Sequence, residues 1–307
     1  MREFGHLRHI WFESIHSKEG KNKMKTALIL EGGGMRGLYT AGVLDTLMEN
    51  DISVDAVAGV SAGALFGINY KSKQIGRVLR YNLKYAGISE NLGVKSLLKT
   101  GDLMSKQFYF DDLPYKLDVM DDETYRNNPT EFYAVVSNLN TGLAEYKSIY
   151  DIKNSECMEY LRASGSLPFV SKPVIINNIP YLDGGVCDSI PVQNYIDKGY
   201  DKIIVVLTRP SGYRKKGHIH FTKLFYKNYP LFSETLKNRN HYYSSQCDLV
   251  DKLETDKRIF VIRPTERIKI KTTEKSRKIL QKAYDLGKKD TIDKLNELYD
   301  YLEVNNE

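Results

Sequence analysis

Hydrophobic residues follow two alternating patterns from Thr26 onward. The run Thr26–Leu30 is short, apolar and ended by glycines, which is typical of a strand buried on both faces of a parallel sheet. The next apolar positions recur at helical spacing: Leu38, Ala41, Leu44, Leu47 and Met48. They predict a helix over residues 37–50. A second strand over 55–60 and a second helix over 62–70 complete a β-α-β-α order, which predicts a right-handed parallel crossover.

Later parts of the chain show the same two patterns less clearly. Short apolar runs predict further strands over residues 132–137, 174–176, 202–208 and 258–263. Helices are predicted over 151–163 and, with Pro191 in the first turn, up to Gly199, while residues 71–125 show mainly polar helix and loop. Helical spacing returns near the C-terminus in Ile279, Ala283, Leu286, Ile292, Leu295, Leu298 and Leu302. We therefore expect a three-layer α/β/α fold with a largely parallel central sheet, plus a C-terminal helical extension.

The domain organisation follows from the length of 307 residues and from where the patterns start and stop. A chain of this size can bury the core of one large α/β domain. Residues 1–23 mix charge, histidine and aromatics without periodicity, so we expect a leader or extension outside the fold and a functional start at Met24. We expect the main domain over residues 24–265 and a basic, mainly helical extension over 266–307.

Composition narrows the class and the location of the protein. A chain with 41% apolar and 27% charged residues is globular rather than disordered or fibrous. Its apolar runs stay well short of the ~20 residues that a transmembrane helix needs. The first residues also lack the apolar region of a secretory signal. We therefore expect a cytoplasmic protein, peripheral at most to the inner face of the membrane.

The net charge of +6 raises the question of an anionic partner. Bases interleave with aromatics over residues 209–243, and this basic aromatic segment is interpreted either as a surface that binds anionic membrane lipid or as a solvated cover over a substrate cleft. The sequence has no signature of a nucleic-acid-binding fold, so nucleic acid is not an expected partner. Three scattered cysteines are too few for a zinc site or a disulfide framework: Cys157, Cys187 and Cys247.

The pentapeptide Gly59-Val60-Ser61-Ala62-Gly63 stands where the predicted second strand gives way to a helix. In that context a Gly-x-Ser-x-Gly sequence predicts a nucleophile elbow, whose sharp turn leaves no room for side chains on either flank. The loop after the first strand contains Gly32, Gly33 and Gly34, and in a parallel sheet this loop lies beside the elbow. Its backbone N–H groups can hold an oxyanion, and Arg36 adds positive charge nearby.

The sequence leaves two choices for the base that takes the proton of Ser61. A histidine is the usual base, but the six histidines fall in the expected leader or in the basic aromatic segment: His6, His9, His16, His218, His220 and His241. Asp183 ends an extended stretch and is followed by Gly184 and Gly185, which permit a close approach of the backbone. A carboxylate acts as the base only in a dry site that raises its proton affinity.

Taken together, these motifs resemble the patatin-like phospholipases, and among them the bacterial proteins. The resemblance covers roughly residues 24–210 in four blocks: Gly32-Gly33-Gly34-Met35-Arg36-Gly37, Gly59-Val60-Ser61-Ala62-Gly63, Ala163-Ser164-Gly165-Ser166-Leu167-Pro168-Phe169 and Asp183-Gly184-Gly185. It implies a Ser–Asp dyad, without histidine, metal or organic cofactor, that hydrolyses acyl esters of lipids. Carried over by position, it implies that Ser61 is the nucleophile and Asp183 the base. The implied oxyanion and substrate-binding loop contains Gly32, Gly33, Gly34, Arg36 and Gly37.

Three alternatives remain open. The glycines Gly32, Gly34 and Gly37 also satisfy a dinucleotide-binding pattern, but that fold requires an acid at the end of the second strand, where Ser61 stands. An α/β-hydrolase triad would add one histidine to Ser61 and Asp183, chosen from His218, His220 and His241. The third alternative is a catalytically silent lipid-binding scaffold, against which the intact dyad and glycine loop argue.

Overall fold

The structure is a computed structural model that describes residues 24–88 and 90–303. The expected leader, residues 1–23, lies outside the described residues. The strands are β1 (Thr26–Leu30), β2 (Ala56–Val60), β3 (Glu131–Asn138), β4 (Ala144–Ser148), β5 (Val174–Ile176), β6 (Ile179–Asp183), β7 (Lys202–Val206) and β8 (Phe260–Ile262). They form one sheet in the order β5-β6-β3-β2-β1-β7-β8, with β4 also paired to β3. The five strands from β3 to β8 along this order are parallel, and β4, β5 and β6 are paired antiparallel.

Helices connect and cover these strands. They are α1 (Gly37–Glu49), α2 (Ala62–Lys71), α3 (Arg77–Tyr85), α4 (Val94–Thr100), α5 (Asp122–Asn127), α6 (Ser155–Ser164), α7 (Val192–Asp197), α8 (Thr222–Phe225), α9 (Pro230–Thr255), α10 (Arg277–Ile292) and α11 (Leu295–Leu302). A π-helical segment, Gln107–Leu117, lies between α4 and α5, and 3₁₀ turns follow β1 and β6. Of the residues that the structure describes, no helix is long and apolar enough to cross a bilayer.

The central strands send alternate side chains into two layers of helices. Leu28 and Leu30 pack on one face with residues of α1, α6 and α11. Ala27 and Ile29 pack on the other face with residues of α7 and α9. All four side chains are fully buried, as an apolar run in a parallel sheet requires. The predicted three-layer α/β/α fold is confirmed.

The C-terminal helix α10 packs closely along α1. An added Cβ at Gly42 would lie 2.1 Å from the carbonyl oxygen of Tyr284, and one at Gly287 would lie 2.1 Å from that of Tyr39. The Tyr284 hydroxyl donates a hydrogen bond of 2.7 Å to Asp45 on α1. Glycine on both helices thus lets their backbones touch, and the predicted C-terminal helical extension is joined to the core.

Three elements differ from the sequence prediction. The basic aromatic segment runs into α9, a single helix of 26 residues. Its buried apolar side chains form a narrow stripe that packs with residues of the sheet: Phe232, Leu236, Tyr243, Cys247, Val250 and Leu253. The strand β4 is missed because it is a polar strand with no fully buried residue. The helix predicted from residue 151 begins only at Ser155, because the side chain of Asn154 accepts hydrogen bonds from the first backbone N–H groups.

Candidate active site

Ser61 occupies the sharp turn between β2 and α2. Its φ of 56° and ψ of −124° fall where residues with side chains are rare, so the turn is strained. The flanking glycines are required by close contacts: an added Cβ at Gly59 would lie 2.4 Å from Cα of Ala64. One at Gly63 would lie 2.4 Å from the carbonyl oxygen of Leu30. A larger residue at Gly63 would therefore push the turn away from the end of β1, and one at Gly59 would push β2 away from the first turn of α2.

The backbone of Ser61 is held by α6. Its N–H donates a hydrogen bond of 2.9 Å to the hydroxyl of Ser164, which is the last residue of α6 and fully buried. Two residues later, the carbonyl of Ser166 accepts a 2.8 Å hydrogen bond from the N–H of Asp183. The short stretch 164–166 therefore fixes Ser61 and Asp183 relative to each other.

The glycine loop approaches Ser61 from β1. An added Cβ at Gly32 would lie 2.8 Å from Cβ of Ser61, so the loop backbone and the serine touch. Gly34 has a φ of +55°, and a Cβ there would lie 2.7 Å from the methyl group of Thr272. Over the ranges that the structure describes, the N–H groups of Gly32, Gly33 and Gly34 donate no hydrogen bond. They are three unused donors beside the serine.

Asp183 ends β6 and is 1% exposed. One carboxylate oxygen, Oδ1, accepts a 2.7 Å hydrogen bond from the N–H of Gly185, while Oδ2 is buried without a hydrogen-bond partner among the described residues. Burial raises the pKa of this carboxyl, and the charge of Arg239 and the neighbouring Ser61 hydroxyl lower it to a smaller extent. The Ser61 hydroxyl thus lies close enough to Asp183 to affect the pKa of its carboxyl.

Two cavities meet at Ser61. The first is apolar, and its walls come mainly from α2, the π-helical segment and α6: Leu65, Phe66, Phe110, Leu113, Met158 and Leu161. The second, of about 240 Å³, contains Asp183 and is polar. Ser61, Gly34, Leu167 and Thr272 line both cavities. A molecule with its reacting carbon at Ser61 can therefore extend into an apolar space and a polar space at once.

Four cationic side chains line the polar cavity: Arg36, Arg209, Lys215 and Arg239. Burial, followed by repulsion from Arg239, lowers the pKa of Lys215 to about 8. Burial, followed by repulsion from Arg209, also lowers the pKa of Arg36. Arg239 is anchored next to Asp183, because its Nε donates a 2.6 Å hydrogen bond to the carbonyl of Gly185. The polar cavity is therefore an electropositive one.

Most of the predicted site residues gather around the polar cavity: Gly32, Gly33, Gly34, Arg36, Ser61, Asp183 and Gly185. Gly37 and Gly184 lie outside its lining. The N–H of Gly37 donates to the carbonyl of Gly34 at the start of α1, and a Cβ at Gly184 would lie 2.2 Å from the carbonyl oxygen of Val135. The described histidines considered for a triad are exposed and line neither cavity: His218, His220 and His241.

Other site residues were not predicted. Arg209, Lys215 and Arg239 belong to the basic aromatic segment, for which a cover over a cleft was one interpretation, and they form a wall of the cavity. Their clustering among aromatics was the available signal. Thr272 comes from the C-terminal extension, where its carbonyl accepts a 3.2 Å hydrogen bond from the N–H of Met35. Nothing in the local pattern marks Thr272, because tertiary packing alone brings it to the glycine loop.

Comparison with known proteins gives two family matches. Residues 28–195 match the model of the patatin-like phospholipases, and residues 229–303 match a domain of unknown function, DUF6363. The first match covers more than half of the chain and contains both Ser61 and Asp183. The second begins at the start of α9 and ends after α11.

Individual relatives share the first of these regions. The uncharacterized protein YjjU of Escherichia coli is 28% identical over 192 residues, which is 61% of this chain and 53% of that protein. The lysophospholipase nte1 of Emericella nidulans is 28% identical over 200 residues, 58% of this chain and 12% of that protein. The probable lipid hydrolase 463L of Invertebrate iridescent virus 6 is 24% identical over 217 residues, 64% of this chain and 75% of that protein. The chain thus spans about half of the first relative and a small part of the second.

Proposed function

The chain belongs to the patatin-like phospholipase family, and on that premise we propose that it is a serine acyl-ester hydrolase of lipids, of phospholipase A type. In this proposal Ser61 is the nucleophile and Asp183 is the base. The observation that carries it is the position of Ser61, on a strained turn beside a buried carboxylate and at the junction of an apolar and a polar cavity. Relatives named lysophospholipase and lipid hydrolase support lipid as the substrate class.

In the proposed reaction, the Ser61 hydroxyl attacks the ester carbonyl while Oδ2 of Asp183 takes its proton. Burial supports this role, because it raises the pKa of Asp183 and makes the carboxylate a stronger base than it is in water. The unused N–H groups of the glycine loop hold the oxyanion, and Arg36 adds positive charge. The alcohol leaves with the proton from Asp183, and water activated by the same carboxylate then hydrolyses the acyl-enzyme.

The apolar cavity supports an acyl chain as the group transferred to Ser61. Its walls are aliphatic and aromatic side chains from α2, α6 and the π-helical segment. Each methylene group buried there contributes about 0.8 kcal/mol to binding. The alcohol part of the ester then faces the polar cavity, which shares Ser61 with the apolar one.

The test is hydrolysis of a neutral chromogenic ester by single variants. Ser61→Ala and Asp183→Asn should each abolish hydrolysis with little change in melting temperature, since both replacements are close in size to the original side chain. Three histidine variants separate a dyad from a triad, because a dyad tolerates all of them: His218→Ala, His220→Ala and His241→Ala. Full activity in Ser61→Ala, or loss of activity in one histidine variant, would refute the dyad.

We also propose that the enzyme contacts anionic membrane through the α8 surface, defined as Phe169, Phe221, Leu224 and Phe225. These side chains are between 39% and 77% exposed, and the rings of Phe169 and Phe225 contact each other with centroids 5.2 Å apart. The exposed Lys223 lies among them. Exposed aromatics combined with lysine are typical of surfaces that bind anionic bilayers.

The position of the α8 surface relative to the cavities supports this proposal. Phe169 lies two residues after Leu167, which lines both cavities at Ser61. The N–H of Phe169 donates a 2.9 Å hydrogen bond to the hydroxyl of Tyr226, at the end of α8. Contact of this surface with a bilayer would therefore bring lipid close to the cavities.

Flotation with vesicles tests the membrane contact. Binding to vesicles that contain phosphatidylglycerol should exceed binding to phosphatidylcholine vesicles and should fall with added salt. The double variant Phe221→Ser/Phe225→Ser should lose this binding. The matched control Leu98→Ser, which alters an 82% exposed side chain on α4, should keep it. Absence of salt-sensitive binding, or an equal loss in the control, would rule out the α8 surface as the contact.

A further inference from the structure

We infer that the polar cavity is a subsite for a phosphate monoester on the alcohol part of the substrate, held by Arg36, Arg209, Lys215 and Arg239. The inference rests on the proposed function, because an ester bond near the phosphate must reach Ser61. The group recognised is the phosphate dianion. It could come from a lipid headgroup or from inorganic phosphate, and the inference selects the headgroup.

The four cations reach the cavity from three parts of the chain, since Arg209 and Lys215 share the loop between β7 and α8, and they are held in place by different contacts. The Nζ of Lys215 lies 3.8 Å from the ring centroid of Tyr243 on α9. The guanidinium carbon of Arg209 lies 4.3 Å from the ring centroid of Tyr213. The Nε of Arg36 is buried and has no hydrogen-bond partner in the described chain. Aromatic faces orient two of the cations without neutralising them, and the third keeps an unused donor.

Arg239 completes the set on the side of Asp183. Its Nε donates to the carbonyl of Gly185, and this contact leaves the two terminal nitrogens of the guanidinium group for a ligand. A guanidinium group with free terminal nitrogens suits the oxygens of a phosphate, which it can bind through two parallel hydrogen bonds.

Positive charge exceeds negative charge in this cavity. Its lining has four cations and two carboxylates, Glu31 and Asp183, which leaves two positive charges in excess. Glu31 is already engaged, because it accepts hydrogen bonds from the hydroxyls of Tyr243, at 2.7 Å, and Thr208, at 3.0 Å. Within the described residues, none of the four cations forms an ion pair.

This excess charge selects the kind of anion. The four cationic residues are half-buried, and charges that are partly withdrawn from water favour a partner of opposite charge. The cavity therefore favours a ligand that carries about two negative charges. A phosphate monoester carries about −1.5 to −2 at pH 7, whereas a phosphodiester carries about −1. A zwitterionic headgroup would also bring a cation towards four others. We therefore expect an ester with a phosphate monoester on its alcohol part to bind most tightly. An ester of a neutral or zwitterionic alcohol should bind more weakly.

The binding test uses Ser61→Ala, in which the bound ester is not consumed. Calorimetry compares hexanoylglycerol 3-phosphate with monohexanoylglycerol, which has the same acyl ester and no phosphate. The phosphorylated ester should bind at least tenfold more tightly, and Lys215→Gln or Arg209→Gln on the Ser61→Ala background should remove this advantage. The matched control is Lys216→Gln, which alters the exposed neighbour of Lys215 outside the cavity lining and should keep the advantage.

Three results would overturn the inference. The phosphorylated ester could bind no more tightly than the neutral one. Lys216→Gln could weaken binding as much as Lys215→Gln, which would indicate a general effect of net charge. Inorganic phosphate could bind as tightly as the phosphorylated ester, although it leaves the apolar cavity unfilled; this would identify a site for the free anion. If instead the unsubstituted chain hydrolyses no ester, the proposed function fails, and the binding comparison still decides the subsite.

Discussion

Gly63→Ala tests the contact between the Ser61 turn and the end of β1. The added Cβ would lie 2.4 Å from the carbonyl oxygen of Leu30 and 3.0 Å from that of Glu31. Both are backbone atoms, so relief requires the end of β1 to move by roughly 0.5–1 Å. The glycine loop follows directly, and in the proposed mechanism its N–H groups must lie about 2.7–3.1 Å from the oxyanion to stabilise it.

The expected result is a large loss of activity with a small loss of stability. A displaced oxyanion donor costs roughly 10²–10³ in kcat. Overpacking costs about 1–3 kcal/mol, and alanine in place of glycine within a helix returns about 1 kcal/mol. The net change in the free energy of unfolding is therefore about 0–2 kcal/mol.

The assay compares Gly63→Ala with Gly67→Ala, one turn further along α2. A Cβ at Gly67 would lie 2.6 Å from Cδ1 of Leu30, the end of a side chain that can change its rotamer. Gly67→Ala should therefore keep kcat for a neutral chromogenic ester close to that of the unsubstituted chain. Thermal unfolding of both variants shows whether they are folded. If folded Gly63→Ala keeps kcat within about threefold, the coupling between this contact and the oxyanion donors is refuted.

Three further predictions concern the neighbours of Ser61. Ser164→Ala leaves the N–H of Ser61 without its acceptor, which should lower the free energy of unfolding by about 1–3 kcal/mol. The same change should lower kcat about tenfold with little change in KM. A change in KM alone would contradict this positioning role. Burial raises the pKa of Asp183, so kcat/KM should fall with decreasing pH at a midpoint above the usual aspartate pKa of about 3.9. A midpoint at or below that usual value would contradict a buried base. Lys215 loses its proton around pH 8, so the preference for a phosphorylated over a neutral ester should decline above about pH 8. A Lys215→Gln enzyme should show no such decline. A constant preference in the unsubstituted enzyme would exclude Lys215 from the subsite.

The parallel part of the sheet could be predicted because its strands are apolar runs ended by glycines. β1 and β2 are neighbours with Leu30 opposite Gly59, so the loop after one strand and the turn after the other meet at the same edge. This geometry follows from the β-α-β order alone. The nearness of Ser61 to the glycine loop was therefore accessible from the sequence.

The electropositive wall of the site could not be predicted from the sequence in the same way. Arg239 and Lys215 reach the cavity because α9 packs against the sheet, where the hydroxyl of Tyr243 donates to the buried Glu31. Such a contact between distant segments leaves no local periodicity. The basic aromatic segment also serves more than one purpose, because Arg239 lines the cavity while Phe221 remains exposed.

The division of the chain at residue 265 stays a prediction. The second family match, residues 229–303, includes both α9 and α10. These helices cover opposite faces of the sheet, since α9 packs with Ala27 and Ile29 and α10 packs against α1. The matched region thus encloses the sheet from two sides, and Thr272, between these helices, touches the glycine loop.

The central claim, that Asp183 activates Ser61, is tested most directly by the rate of labelling with a fluorophosphonate. The unsubstituted chain should be labelled at Ser61, as identified by mass spectrometry of its peptides, and Asp183→Asn should be labelled at least roughly 100-fold more slowly, because it lacks the base. Labelling of Asp183→Asn at the unsubstituted rate, or labelling of a residue other than Ser61, would contradict the account.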